Sequence, residues 1–310
     1  MKTIELTYPH HLNWQELPAT VVAIGFFDGI HKGHQKVIQT AIDLANKMEM
    51  ESGVITFLPH PSVVLKKDSH AKYITPIDEK KEILQNMGVD RLYIISFTVS
   101  LSKLSPEAFI DHYISGLRIK HLVAGFDFTY GYKGKGSMKT IGDHANGQFT
   151  YTTIEKQTKD DEKISSSAIR KLLEKGEIEK CNQLLGRPLT CRGKVVEGDK
   201  RGRTIGYPTA NIQISDDYQL PKVGVYAVTV RYDRKTFNGM ANLGVKPTFN
   251  KEITKPSLEV HLFDYKKEIY GEELIVEWHQ FIREEKKFNG IDELVDQLKH
   301  DEQEIRSILN

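Results

Sequence analysis

Two histidines three positions apart, His31 and His34, lie with three glycines in the segment GFFDGIHKGH, residues 25–34. Glycines let backbone amides approach an anion closely, and a helix that starts after such a loop contributes positive potential. Imidazoles at this spacing could donate charge-assisted hydrogen bonds to phosphate oxygens whose negative charge grows in a transition state. A phosphate-binding loop with an electrostatic, non-nucleophilic histidine pair is one interpretation of this segment.

Two other interpretations compete with the phosphate-binding loop. Solvent-facing histidines beside a structural turn fit the spacing about equally well, because short motifs also occur by chance. A zinc site is less favoured, because the pair lacks a third and a fourth ligand and neither an HExxH motif nor a cysteine pair accompanies it. Spacing alone therefore leaves a phosphate role and a structural turn open.

A second candidate site lies in GDKRGRTIGYPTANI, residues 198–212. Its glycines could fold over phosphates, and the hydroxyl of Thr209 and the side-chain carbonyl of Asn211 are hard oxygen ligands suited to magnesium. The GxxxxGK[ST] pattern of a Walker A loop is not present. From the residues alone, a solvated basic loop followed by a polar turn is the favoured interpretation.

The first half of the chain alternates short apolar runs with amphipathic helical patterns, which is typical of βαβ units and a mostly parallel sheet. Predicted strands cover residues 20–27, 52–57, 91–97 and 121–128, and predicted helices cover 34–48, 78–88 and 105–116. The strands are apolar nearly throughout, as expected where helices cover both faces of a sheet. Because ligands bind beyond the carboxyl ends of such strands, the two histidines lie where a site is expected.

The pattern changes within residues 163–188, where two short helices are predicted. Beyond them, apolar residues alternate with a period of two, and the chain ends on a helical pattern. The alternating segments are 222–233, 236–244, 257–265 and 273–282, and the last helix is 291–309. This pattern predicts an antiparallel barrel or sandwich closed by one C-terminal helix. We therefore predict an α/β domain over residues 1–185 and a β domain over residues 186–310.

Composition argues against several classes of protein. The 310 residues carry a formal net charge of +1 and contain no long basic stripe, which gives no indication of a nucleic-acid partner. No apolar run reaches the roughly 18 residues that a membrane-spanning helix needs, and the N-terminus lacks the apolar core of a signal peptide. Two cysteines are too few for a disulfide framework or a zinc site. A cytoplasmic protein is expected.

The segment GFFDGIHKGH resembles the HxGH signature of the nucleotidyltransferase superfamily, in the form FDGxHxGH that marks prokaryotic FAD synthetases. Further stretches are similar to that family in the same order: TFLPHP at 56–61, GFDFTYG at 125–131 and ISSSAIR at 164–170. The resemblance implies a Rossmann-like, doubly wound nucleotidyltransferase domain. In that case the histidine segment is a phosphate-binding loop.

The same resemblance implies roles for individual residues. His31 and His34 would contact the ATP phosphates and stabilise charge as the FMN phosphate attacks the α-phosphate and pyrophosphate leaves. The residues that it places around the nucleotide are Gly25, Phe26, Asp28, Gly33, Asp127, Ser166, Ser167 and Arg170. From sequence alone, Asp127 fits a loop-capping aspartate equally well, and one of the serines fits an ordinary helix N-cap.

The second half resembles riboflavin kinases, through the PTAN motif at residues 208–211. Other stretches match that family in order: VGVYAV at 223–228, NLGVKPTF at 242–249, LEVHLFDYKKEIYG at 258–271 and FIREEKKF at 281–288. The resemblance implies that Thr209 and Asn211 bind magnesium and ATP, and that Glu259 is the base that accepts the ribityl 5′-hydroxyl proton. The other residues it implies at the nucleotide are Gly198, Arg203, Gly206 and Pro208.

Together, the two resemblances imply a bifunctional flavin cofactor enzyme with one activity in each domain. The implied substrates are ATP, riboflavin and FMN, FAD is a product, and magnesium is the implied cofactor. Two alternatives are a non-catalytic regulator that binds flavin or nucleotide, and an enzyme active in only one domain. The sequence leaves the oligomeric state open.

Overall fold

The computed structural model of the chain describes residues 1–65, 71–159, 162–198, 201–215, 217–247 and 254–309. The chain forms two compact units, Met1–Ser166 and Ser167–Asn310. The helices predicted within 163–188 thus pack almost entirely with the second unit, and the functional boundary placed between residues 185 and 186 stays a prediction. Within the described residues, no helix combines the length and the apolar character needed to cross a membrane.

The first unit combines parallel strands with helices and short 3-10 turns. Its strands are β1 (Lys2–Leu6), β2 (Thr20–Ile24), β3 (Glu51–Leu58), β4 (Arg91–Ser96), β5 (Ile119–Gly125), β6 (Thr129–Tyr130), β7 (Gly136–Ser137), β8 (Thr150–Ile154), β9 (Thr158–Lys159) and β10 (Glu162–Lys163). Its helices are α1 (Lys32–Lys47), α2 (Pro61–Val64), α3 (Ile77–Asn86), α4 (Pro106–Tyr113) and α5 (Ile141–Ala145), and its 3-10 turns are Trp14–Glu16, Leu101–Lys103, Ser115–Leu117 and Tyr132–Gly134.

The central sheet of the first unit is six-stranded and parallel, in the order β1-β4-β3-β2-β5-β8. Helices α1 and α3 pack on one face, with Ile38 and Leu84 in the core, and α4 and α5 pack on the other, with Phe109 and Ile141. This arrangement confirms the doubly wound fold. The chain moves outward from β2 through β3 to β4 and then returns to the other side at β5, so β2 and β5 flank the switch point where ligands bind.

The four predicted strands of this half correspond to β2, β3, β4 and β5, and the three predicted helices to α1, α3 and α4. The two edge strands, β1 and β8, were missed. Strand β8 has the sequence TYTTI and none of its residues is fully buried. The inner strands are recognised by a continuous apolar run, because both of their faces are buried. A less buried strand at the edge of the sheet does not need such a run.

The second unit is a closed antiparallel barrel with the strand order β11-β12-β15-β14-β13-β16. The strands are β11 (Leu189–Val196), β12 (Ala210–Ile214), β13 (Gly224–Tyr232), β14 (Lys235–Pro247), β15 (Thr254–Leu262) and β16 (Glu273–Arg283), and the helices are α6 (Ser166–Lys175), α7 (Ile178–Leu185), α8 (Arg201–Thr204) and α9 (Ile291–Leu309). The barrel closes because β11 pairs with both β12 and β16, which decides between the barrel and the sandwich.

One local prediction in this half was wrong. The stretch that ends the PTAN motif was interpreted as a polar turn, whereas Ala210 and Asn211 begin strand β12. These residues form a strand because the segment pairs with β11 on one side and with β15 on the other. The polar residues of this five-residue strand face away from the core. The C-terminal helix is confirmed as α9, and its Ile305 packs against Val225 and Met240 of the barrel.

Candidate active sites

The loop that follows β2 has an unusual backbone. Phe27 and Ile30 have positive φ angles of 51° and 40°, and Gly29 between them has a φ of 87°. Side-chain-bearing residues adopt such angles only when the surrounding structure holds them there, and held strain of this kind clusters at functional sites. Gly25 opens the loop, and a Cβ atom there would lie only 3.0 Å from the Phe27 ring. Packing therefore holds the loop in one defined conformation at the edge of the sheet where the strands end.

His31 and His34 form a stacked pair at the start of α1. His31 is the N-cap residue, and its Nδ1 atom accepts a hydrogen bond from the backbone amide of His34 at 3.2 Å. The two ring centroids are 3.6 Å apart with an interplanar angle of 17°. A Cβ atom on Gly33 would come within 3.1 Å of the His31 ring, so glycine leaves room for the stack.

Burial controls the charge of this pair. Desolvation lowers the pKa of His31 to about 4, and desolvation followed by the proximity of His31 lowers the pKa of His34 well below its usual value. Since Nδ1 of His31 accepts a hydrogen bond, the proton of the neutral ring lies on Nε2, which is a donor. Nδ1 of His34 is buried and has no hydrogen-bond partner among the described residues. The charge-assisted bonds predicted from the sequence thus require a proton that the ligand-free pair does not hold at neutral pH.

Contacts from distant segments hold the loop in place. The Asp28 side chain is buried, and its Oδ1 atom accepts a hydrogen bond from the backbone amide of Thr75 at 3.2 Å. The hydroxyl of Ser166 donates to the backbone carbonyl of Asp28 at 2.8 Å. Lys80, to which the sequence analysis assigned no role, donates from Nζ to the carbonyl of Phe26 at 2.8 Å. Thr75, Lys80 and Ser166 are far from the loop in sequence, so only the fold brings them to it.

Asp127 lies at the carboxyl end of β5, beside the switch point. It forms an ion pair with Lys163, whose Nζ also lies 4.9 Å from the centroid of the Phe126 ring. Lys163 and Asp127 act electrostatically on His31, the first lowering and the second raising its pKa, after the larger effect of burial. The structure thus brings Asp127 to the same edge of the sheet as the histidine pair.

Ser167 and Arg170 lie on α6 in the second unit. Nη1 of Arg170 donates a hydrogen bond to Oε1 of Gln219 at 3.0 Å, a contact within that unit. Their roles at pyrophosphate oxygens stay predictions.

Two cavities meet at Thr209 in the second unit. One, of about 320 Å³, is lined by residues that include Thr209, Asn242, Glu259, Arg283, Phe288 and Leu298. The other, of about 350 Å³, is lined by residues that include Arg203, Pro208, Thr209, Lys266, Lys267 and Tyr270. The first cavity is lined by many apolar side chains together with acidic and cationic ones, whereas the second carries three cationic side chains, Arg203, Lys266 and Lys267. Thr209 lines both cavities.

Strand pairing sets the polar cluster beside Thr209. Asn211 of β12 lies directly opposite Glu259 of β15, and Asn242 of β14 lies opposite Glu259 on the other side. Residues directly opposite each other in antiparallel strands share one face of the sheet. Oγ1 of Thr209 lies 3.5 Å from Oε2 of Glu259. The structure therefore brings Thr209, Asn211 and Glu259 close together and places Asn242, which the sequence does not single out, beside them.

The segment before β12 is positioned by close packing. A Cβ atom on Gly198 would lie 2.1 Å from Nδ2 of Asn211, so only glycine allows the side chain of Asn211 its observed place. Gly206 has a φ of 85°, in the region that favours glycine. The backbone carbonyl of Pro208 accepts a hydrogen bond from Nδ1 of His261 at 2.7 Å. Arg203 pairs with Glu268 at 2.9 Å at the second cavity.

The C-terminal helix contributes to the first cavity through one buried ion pair. Asp301 of α9 is 1% exposed and receives hydrogen bonds from Nε of Arg283 at 2.9 and 3.0 Å, and Nη2 of Arg283 lies 2.7 Å from it. Leu294 and Leu298 of the same helix line the cavity. The sequence does not single out Asp301, because its position in an amphipathic helix does not distinguish it from surface carboxylates.

The comparisons with known proteins cover both halves of the chain. The family model described as FAD synthetase matches residues 14–168, and the model described as riboflavin kinase matches residues 185–309. A bifunctional riboflavin kinase/FMN adenylyltransferase of Bacillus subtilis is 49% identical over 98% of this chain and 97% of its own length. A protein of the same name from Listeria monocytogenes is 48% identical over 99% of this chain and 98% of its own length.

A solved structure from Streptococcus pneumoniae also matches along the whole chain, with a TM-score of 0.89, 35% sequence identity and 99% of each chain covered. It is titled as a macrolide-efflux protein. The two family models and the curated relatives agree with each other in each half of the chain, and the matched ranges include the histidine loop and the Thr209 cluster. On these grounds the chain belongs to the family of bifunctional riboflavin kinases/FMN adenylyltransferases.

Proposed function

We propose that the chain catalyses both reactions for which its family is named. Riboflavin is phosphorylated by ATP to FMN in residues 186–310, and AMP is transferred from ATP to FMN in residues 1–185, giving FAD and pyrophosphate. The observation that carries this proposal is the presence of two separately built sites in one chain. The stacked His31 and His34 lie at the switch point of the sheet, and Thr209 lies between two cavities with Glu259 beside it.

In the phosphorylation step, the carboxylate of Glu259 accepts the proton of the ribityl 5′-hydroxyl while that oxygen attacks the γ-phosphorus of ATP and ADP leaves. The flavin occupies the cavity that Glu259, Arg283 and Phe288 line. The triphosphate lies on the side of Thr209 where the second cavity carries cationic residues. The residues proposed to bind the nucleotide there are Gly198, Arg203, Gly206, Pro208, Thr209 and Asn211. A positioned carboxylate orients the hydroxyl, and positioning and electrostatics supply most of the rate.

The side chains around Thr209 fit a magnesium ion. The Thr209 hydroxyl lies 3.5 Å from the Glu259 carboxylate. Asn211 lies directly opposite Glu259 in the neighbouring strand, and the missing side chain of Gly198 leaves space for the Asn211 amide. Hard oxygen donors, few in number and combined with substrate phosphates, are what magnesium prefers in proteins. We propose that Thr209 and Asn211 hold it. When bound, magnesium neutralises charge on the phosphates.

In the adenylyl transfer step, a phosphate oxygen of FMN attacks the α-phosphorus of ATP, and the bond from that phosphorus to the bridging oxygen of pyrophosphate breaks. His31 donates from Nε2 to a non-bridging oxygen whose charge increases, and His34 stabilises the same charge. No covalent enzyme intermediate forms. The other residues proposed to line this site are Gly25, Phe26, Asp28, Gly33, Asp127, Ser166, Ser167 and Arg170.

We propose small molecules as the partners and the cytoplasm as the location. The near-neutral net charge of +1 supports the first part, because nucleic-acid binding usually requires a basic surface. Both cysteines lie in the described part of the chain, where they are buried and form no disulfide, which is typical of a reducing compartment.

A chromatographic time course of the purified protein with riboflavin, ATP and magnesium tests the proposed function. FMN should appear first and FAD afterwards. FMN without FAD would contradict the role of the histidine loop in adenylyl transfer. No product from either step would contradict the proposal as a whole and favour a regulator that binds without turnover.

A further inference from the structure

Lys80 is a buried lysine directly behind the phosphate-binding loop. It is the fourth residue of α3, and only 3% of it is exposed. Lysine is among the residues least often buried, because removing an ammonium group from water is costly unless it is paired and hydrogen-bonded. Desolvation lowers its pKa to about 8, and the negative charge of Asp28 opposes this shift. The burial of this ammonium group therefore calls for a structural or functional explanation.

The hydrogen bonds of Lys80 go to the loop and to the strand beside it. Nζ donates to the carbonyl of Phe26 at 2.8 Å and to Oγ1 of Thr56 at 3.2 Å. Thr56 in turn donates from Oγ1 to the same Phe26 carbonyl at 2.9 Å. Nζ also lies 5.0 Å from the centroid of the Phe26 ring. The contacts that the ammonium group makes thus converge on one peptide of the loop.

Helix α3 also reaches the loop at a second point. The backbone amide of Thr75, just before the helix, donates to Oδ1 of Asp28. Phe26 and Asp28 flank Phe27, whose φ of 51° is unfavourable for a side-chain-bearing residue. A strained backbone persists where its surroundings over-determine it. Lys80 restrains the backbone before Phe27 through the Phe26 carbonyl, and Thr75 restrains the residue after it through the Asp28 side chain.

A merely structural role would not require a charge. A methionine has a similar length and an unbranched shape, so it could fill the same space without a charge. An ammonium group behind the loop does two things that methionine cannot do. It fixes the Phe26 carbonyl by charge-assisted hydrogen bonding, and it adds positive potential to a loop that is proposed to bind an anion.

We propose that Lys80 is a positioning residue for adenylyl transfer, holding the Phe26 peptide so that the backbone of the loop and the stacked histidines face the triphosphate of ATP. This inference rests on the function proposed for the first unit. It assigns to Lys80 no contact with substrate, so its effect acts through the loop.

The test compares Lys80→Met, Lys80→Gln and Lys80→Arg with Lys81→Met, in the full chain. Lys81 is the next residue of the same helix, is partly exposed and pairs with Asp78. FAD formation from FMN and ATP gives kcat and the KM for FMN. Riboflavin phosphorylation, measured on the same preparations, reports on the second unit, and circular dichroism reports on folding.

For Lys80→Met we expect kcat for FAD formation to fall about 100-fold, as expected when reacting groups are misplaced by about 1 Å. The KM for FMN should stay within about threefold, because the loop is proposed to act on ATP. Lys80→Arg should recover most of the loss, since it keeps the charge and the donors. Lys81→Met should match the wild type.

A folded Lys80→Met variant with wild-type kcat would overturn the inference. Should that variant fail to fold, the comparison of Lys80→Gln with Lys80→Arg decides, because glutamine keeps a donor without the charge. A much lower kcat for the glutamine variant supports the proposal, and equal values overturn it. A wild type that makes no FAD contradicts the proposed function instead, so the two failures are distinguishable.

Discussion

The imidazole of His31 stacks on that of His34 with the ring centroids 3.6 Å apart. Nδ1 of His31 also accepts a hydrogen bond from the backbone amide of His34. One ring thus orients the other and caps the helix at the same time. The arrangement leaves Nε2 of His31 as a donor in the neutral state. It connects the backbone of α1 to the group that is proposed to stabilise the α-phosphate.

Replacing His31 by alanine should remove FAD formation and spare FMN formation. Loss of one donor to a developing charge lowers kcat by about 10² to 10³-fold, and the loss of the helix cap and the stack adds to this. Product analysis with riboflavin, ATP and magnesium measures both steps at once. A folded variant that loses both activities would contradict the assignment of two sites.

Replacing Glu259 by alanine should have the opposite effect. Removal of a general base lowers the rate of phosphorylation by about 10² to 10⁴-fold, whereas FAD formation from supplied FMN should stay unchanged. A Glu259→Gln variant keeps the volume and removes the charge, and it should show a loss of similar size. Normal FMN formation in both variants would show that another group accepts the proton.

The histidine pair should make stability depend on pH. Burial gives His31 a folded-state pKa of about 4 against an ordinary value of 6.5. Between these values the unfolded chain binds a proton that the folded protein does not, so the free energy of unfolding falls as the pH falls from 6.5 to 4. Above 6.5 the contribution is fully present. The total for His31 is on the order of 3 kcal/mol.

Urea unfolding followed by circular dichroism between about pH 7.5 and 4.5 measures this dependence, because that range covers most of the interval between the two pKa values. The decline should be shallower for His31→Gln than for the wild type. The exposed His11 is a matched control, and His11→Gln should retain the wild-type slope. The same slope in all three proteins would contradict the assigned cause.

Replacing Asp301 by asparagine should weaken the second unit. The change leaves the half-buried Arg283 without its carboxylate partner, and because Asp301 is itself buried, we expect a loss of about 3 kcal/mol. Because Leu294 and Leu298 of the same helix line the cavity that is proposed to hold the flavin, the KM for riboflavin should rise as well. Asp296→Asn on α9 is the control, since Asp296 is exposed and pairs only at 3.4 Å with Lys299. Equal urea midpoints for the two variants would contradict the prediction.

Replacing Gly198 by alanine should reduce riboflavin phosphorylation. The new Cβ would lie 2.1 Å from Nδ2 of Asn211, so the asparagine must move, and we expect a loss of about 10-fold to 100-fold in kcat. Gly290→Ala is a matched control, because nothing lies within 4 Å of a Cβ there. FAD formation from FMN should be unaffected in both variants. Wild-type phosphorylation in Gly198→Ala would show that the position of Asn211 does not matter.

Periodicity predicted the inner strands and the longer helices, because a strand covered on both faces must be apolar throughout and an amphipathic helix must repeat its apolar positions. Among the strands of the main sheet and the barrel, it did not predict β1, β8, β11 and β12. The sequences of β8 and β12, TYTTI and ANIQI, are short and partly polar. Pairing with neighbours that are distant in sequence makes these segments strands, and that information is absent from a local pattern.

The sequence by itself determined the order of the two units and the spacing of the motifs, since His31, His34, Thr209 and Asn211 are recognisable from short segments. Only the tertiary structure decided which side chains support them. Lys80, Asn242 and Asp301 reach the sites from other elements, through a helix packed behind the loop, a neighbouring barrel strand and the C-terminal helix. The reason is physical: burial and strand register set the charge and direction of a side chain, and both depend on contacts between segments far apart in the chain.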